Sequence, residues 1–174
     1  VKRDGLRLIM GGEIPDAEVK VSATPRDLGI QDYVIVCVKA PTLRAVAAEI
    51  TPLLGPDTIV VSAMNGVPWW FSANATGPLA GATLLSVDPD GAIANAMPAP
   101  RIIGCVLYVA CSRDGPGLVR HHVGKRLLLG EADNSSPDRL GLLLGWLRRA
   151  GLDAERSADI RADIWVKLWG NLST

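Results

Sequence analysis

The chain has 174 residues, 48% of them hydrophobic and 21% charged, with 18 basic and 18 acidic side chains. This is ordinary globular composition, long enough for a core, and it excludes a disordered chain. A formal charge of zero removes the field that would recruit nucleic acid or an anionic membrane, and no apolar run approaches the ~20 residues that a bilayer requires.

No secretory signal pattern is read at the amino end, and the three cysteines include no C-x-x-C pair. Cys105 and Cys111 fall on one predicted strand, about 20 Å apart at ~3.3 Å per residue, too far for a disulfide. These features lead us to expect a reducing cytoplasm.

The opening segments G-L-R-L-I-M and A-E-V-K-V-S-A read as two short strands around a turn marked by Gly11, Gly12 and Pro15. Next, D-Y-V-I-V-C-V-K over residues 32 to 39 is an unbroken apolar run of the kind buried on both faces of a parallel sheet. Pro41 suits a first helical turn, and helical periodicity runs from there to Leu54. Gly55-Pro56-Asp57 is expected to break it before a second buried strand, residues 58 to 64.

Strand, helix, strand with tight connections is the crossover unit of a doubly wound α/β sheet. It puts Lys39 and Asn65 at the carboxyl edge of neighbouring parallel strands, where open α/β sheets bind their ligands. Each also has a plain reading: a strand-end lysine reaching water, and an Asn-Gly turn with positive φ at Gly66.

Prolines and glycines cut residues 67 to 100 into turns and short helices, with Trp69, Trp70 and Phe71 expected to bury a loop against the sheet. From Arg101 the pattern becomes a strand meander with turns at Gly115-Pro116-Gly117 and Gly124. His121 and His122 are adjacent on a strand and point to opposite faces, so one is expected packed and one exposed, with no shared metal. Asp133 to Pro137 reads as a loop in which Ser135 or Ser136 caps a helix; Leu140, Leu143, Leu144 and Leu147 form that helix's apolar face, and Gly151 closes it. A short strand over residues 152 to 157 precedes the last helix.

In that last helix Trp165, Leu168, Trp169 and Leu172 recur at i, i+3, i+4 and i+7, predicting one apolar stripe. Lys167 and Asn171 lie one turn apart on another side, flanked by Ile160 and Ile164. They are either a solvated face or an ammonium and an amide addressing one small oxygen-bearing group. The chain contains no G-x-G-x-x-G turn, the sequence that lets a backbone approach a dinucleotide pyrophosphate.

With V-C-V-K-A, M-N-G, G-C-V-L-Y-V-A, the meander G-P-G-L-V-R-H-H-V-G-K-R-L-L-L-G-E and the closing W-V-K-L-W-G-N all in order, the chain resembles the ketopantoate reductase (2-dehydropantoate 2-reductase) family. The resemblance implies an incomplete Rossmann-like dinucleotide domain over 1–158, with an appended antiparallel meander. Residues 159–174 would be the interdomain helix that opens an all-helical substrate domain.

It further implies NADPH-dependent reduction of 2-dehydropantoate to pantoate for pantothenate and coenzyme A synthesis. Lys167 matches the catalytic lysine, Asn65 the residue holding substrate and nicotinamide, Asn171 a substrate-binding asparagine, and Lys39 a lysine near the cofactor. The expected partner is a small 2-oxo acid, with a homodimer as the assembly and neither nucleic acid nor membrane involved. Alternatives are a reductase of another branched 2-oxo acid and a non-catalytic fragment of such an enzyme. The family's glycine-rich start, its helical domain and two further substrate residues, a Ser and a Glu, are not in the sequence, so a window on a longer polypeptide is expected.

Overall fold

The computed structural model describes residues 5–12, 16–17, 19–132 and 137–172. Two short strands, β1 (Leu6–Ile9) and β2 (Asp16–Ala17), form the expected antiparallel pair, but β2 is only two residues long and residues 19–23 of the segment expected to form it are not strand. The β-branched run forms β3 (Gln31–Val36), which ends ahead of Lys39 because a 3-10 turn at Ala40–Thr42, built on Pro41, takes the chain out of the sheet.

Helix α1 (Leu43–Glu49) stops short of the expected Leu54. Pro52 lacks the N–H that a continuing helix would bond back, and a 3-10 turn at Thr51–Leu53 passes the chain to β4 (Leu54–Ala63). Gly55-Pro56-Asp57 therefore lies inside β4 rather than before it, absorbed by a register shift against Gln31 and Tyr33 of β3.

After the short helix α2 (Ala92–Ala96), a long hairpin follows: β5 (Ile102–Gly115) and β6 (Leu118–Glu131). The remaining elements are α3 (Pro137–Arg149), β7 (Asp153–Arg156) and α4 (Ile160–Leu172). The expected capping by Ser135 or Ser136 lies outside the described residues. Gly151 does close α3, with φ +84° and the Leu152 N–H donating to Leu147 O at 3.1 Å.

Among the described residues one mixed sheet carries seven strands, in the order β2-β1-β6-β5-β4-β3, with β7 also beside β6. Strands β3, β4 and β5 run parallel, which is the expected crossover geometry. The meander differs in one respect: Gly124 is no turn. Strand β6 runs through it as a bulge, with φ +81° and a register break opposite Tyr108 and Ala110. A Cβ at Gly124 would stand 2.0 Å from Tyr108 O, so the two backbones meet where only glycine fits.

Alternation along the strands splits the core in two. On one face Val36, Val60, Ile102, Val106 and Leu128 pack with α1, the Trp69-Trp70-Phe71 segment, α2 and α4. Trp69, Trp70 and Phe71 are buried as predicted. On the other face Ile59, Val61, Ile103, Cys105, Leu127 and Leu129 pack against Leu140, Leu143 and Leu144 of α3. His121 is half-buried, its Nε2 2.6 Å from Gly124 O, and His122 is exposed, matching the expectation for an adjacent pair.

The orientation of α4 is a correction. Ile160 and Ile164 enter the core with Leu168 beside them, whereas Trp165 and Trp169 are 53% and 79% exposed. The predicted stripe of Trp165, Leu168 and Trp169 is therefore not the sheet-facing one. The face with the branched aliphatics meets the sheet, because Gly104 and Gly130 leave room for Ile160: a Cβ at either would come within 2.9 Å or less of it.

Candidate active site

The carboxyl ends of β3 and β4 deliver two of the predicted residues to one place. Lys39 and Asn65 both line a cleft of about 810 Å³ on the α3 side of the sheet. Its walls are apolar, with Ile35, Val61, Leu107 and Leu143 among them, and Ile35 is 51% exposed on the outer strand. Lys39 is exposed three residues beyond β3, at the start of the 3-10 turn, so it meets solvent at the mouth.

Asn65 is exposed too, but its side chain is directed: Oδ1 accepts the backbone N–H of Leu107 at 3.3 Å. That contact assigns the carbonyl end of the amide to β5 and turns the Nδ2 donors away from it. Cys105, on the cleft wall, has its thiol pushed up to about 12 by burial, with the charge of Cys37 adding to it. All three cysteines are free.

Lys167 and Asn171 come from α4, on the other face. The helix is pinned there by Asp159, whose Oδ1 accepts the N–H groups of Arg161 and Ala162 at 3.0 and 3.2 Å. Arg161 then donates through Nε to Phe71 O at 2.7 Å and through Nη2 to Ala73 O and Ala132 O. One guanidinium thus ties α4 to the tryptophan loop and to the end of β6.

From this base Lys167 is half-buried and sets its Nζ 4.6 Å from the centroid of the Tyr108 ring. The Arg126 guanidinium approaches the same ring at 5.5 Å and is itself held by both oxygens of Glu155, at 2.9 and 3.0 Å. Asn171 is exposed one turn beyond Lys167.

The structure therefore joins Lys39 and Asn65 in one cleft and places Lys167 across β5 from it, with Leu107 and Tyr108 as consecutive links. Tyr108 escaped the sequence reading. Its signal was the strand alternation that puts it on the same face as Val106, the face α4 covers.

A family model for ketopantoate reductase PanE/ApbA matches residues 1–134. A 2-dehydropantoate 2-reductase from Mesorhizobium japonicum is 47% identical over 99% of this chain and 53% of its own length. A crystal structure assigned as a ketopantoate reductase from Ralstonia solanacearum MolK2 is 49% identical, with a TM-score of 0.91 over 95% of this chain and 51% of that one. D-mandelate dehydrogenase, solved with NADH and anilino(oxo)acetate, shares the fold at 20% identity, with a TM-score of 0.72 over 95% of this chain and 47% of its own. The chain spans about half the length of each of these relatives. With the model covering most of its length and an ordered cleft at the edge of the parallel strands, the chain belongs to the ketopantoate reductase PanE/ApbA family.

Proposed function

We propose that this chain is the cofactor-binding portion, residues 1–158, and the first interdomain helix, residues 159–174, of an enzyme that reduces 2-dehydropantoate to pantoate with NADPH, a step towards pantothenate and coenzyme A. The observation that carries the reading is the pairing of a directed amide, Asn65, with a half-buried ammonium, Lys167, through adjacent residues of β5. The apolar cleft with Lys39 and Asn65 at its mouth fits the nicotinamide end of a dinucleotide. The cofactor would supply hydride to the ketone carbon.

The chain's own residues then do the rest. Lys167 donates a hydrogen bond from Nζ to the 2-oxo oxygen and delivers a proton as that oxygen gains charge. Asn65, its Oδ1 occupied by Leu107 N–H, offers Nδ2 to an oxygen of substrate or carboxamide and fixes their relative placement. Asn171 adds an amide one turn along α4, and Lys39 puts a positive charge at the cleft mouth. Free cysteines support a cytoplasmic setting. A homodimer is the proposed assembly, to be read by light scattering.

The decisive experiment is NADPH oxidation by the complete reductase on addition of 2-dehydropantoate, beside other branched 2-oxo acids and with NADH in place of NADPH. Preference for 2-dehydropantoate and NADPH supports the reading. A higher kcat/KM with a different 2-oxo acid would transfer it to that substrate, the alternative favoured by the fold shared with D-mandelate dehydrogenase.

A further inference from the structure

We propose that Tyr108 is a positioning residue for Lys167, its ring seating the ammonium at the sheet edge while leaving all three N–H donors available to a substrate oxygen. This rests on the reductase reading above. The Nζ-to-centroid distance of 4.6 Å lies inside the roughly 6 Å within which a ring quadrupole attracts a cation. Among the described residues Lys167 makes no ion pair.

That combination suits a proton donor. A carboxylate in place of the ring would hold the ammonium through directed bonds and occupy the N–H groups that a ketone oxygen needs. A π face attracts the charge without claiming any particular hydrogen, so an arriving carbonyl can bind the ammonium without first breaking an ion pair.

The seat is itself well fixed. Tyr108 stands in β5 beside a register break, where Gly124 lets the β6 backbone close on Tyr108 O. Arg126 touches the same ring, but Glu155 accepts from it at 2.9 and 3.0 Å and offsets its charge. The second cation thus braces the ring without driving Lys167 off it.

The test uses the complete reductase with Tyr108→Leu, Tyr108→Phe, Lys167→Ala and a series carrying one to three fluorines on a phenylalanine ring at position 108. The fluorines drain π density at constant ring volume, which separates charge attraction from packing. The first readout is the ε-methylene proton resonance of Lys167, expected upfield in the wild type and Tyr108→Phe and near its free value in Tyr108→Leu. The second is turnover: kcat is expected to fall roughly tenfold in Tyr108→Leu, and stepwise with fluorination, at unchanged cofactor affinity, with most of the loss restored by Tyr108→Phe.

A ring-shifted resonance with kcat indifferent to fluorination would overturn the proposal and leave the reductase reading standing. Normal turnover in Lys167→Ala would sink that reading and the proposal with it. An unshifted Lys167 resonance in the wild type removes the seat whatever the kinetics.

Discussion

Asn65 and Leu107 are joined across the end of the parallel sheet, the Leu107 N–H donating to Asn65 Oδ1 at 3.3 Å. The bond orients the amide and makes its two ends unequal. Asn65→Asp keeps the acceptor for Leu107 and replaces the outward donor with an anion. We expect it to lower kcat/KM by about 10²-fold or more, and we expect the same of Asn65→Ala, with the fold unchanged by circular dichroism. Activity near wild type in Asn65→Asp would show that Nδ2 donates nothing in the reaction.

Gly124 makes a prediction about stability. Replacement by Ala sets a Cβ against Tyr108 O at a positive φ, and the cost should be at least about 1–3 kcal/mol by urea unfolding. Gly141→Ala is the contrast: it lies in α3 with nothing within 4 Å of the added carbon, and should stabilise by roughly 0.5–1 kcal/mol. Equal effects at the two sites would remove the bulge from the explanation.

Glu131 is buried at the end of β6, and Arg139 of α3 donates to both its oxygens as well as to Pro100 O. Arg139→Met strands that carboxylate and should cost about 3–5 kcal/mol. Adding Glu131→Gln should recover much of the loss, since the remaining group is neutral. A double variant no better than the single one would place the cost in the packing of α3, not in the stranded charge.

Cys105 ties stability to alkaline pH. Burial raises its thiol from 9.0 to about 12 in the native state, so the unfolded chain ionises first. The stabilisation is therefore complete below pH 9.0 and is lost progressively as pH rises towards about 12. Urea unfolding at pH 8.5 and pH 10.5 should show a smaller decline in Cys105→Ala than in the wild type. Identical declines would mean that the thiol is not buried as described.

Much of the fold was legible because period-2 and period-3.6 patterns report which residues share a face. The existence of β3 to β6, the leucine face of α3 and the burial of Trp69, Trp70 and Phe71 all follow from local sequence, but β3, expected to be buried on both faces, is the last strand in the sheet order and leaves Ile35 51% exposed. The edge positions of Lys39 and Asn65 follow from the strand, helix, strand order, and both line the cleft as that order implies. The helical boundary at Leu54 and the turn at Gly124 were misread because a proline and a glycine punctuate in more than one way. Pro52 ended the helix early, and Gly124 opened a bulge inside a continuous strand.

By itself the sequence determined the α/β class, the family resemblance and the residue types at the sheet edge. Only the tertiary structure decided that Ile160 and Ile164, not Trp165 and Trp169, face the sheet, and that Lys167 rests on Tyr108, 59 positions earlier in the chain. A helical period fixes the angle between side chains but not the body each side will meet. That choice belongs to the partner surface, here the space left by Gly104 and Gly130 beneath Ile160.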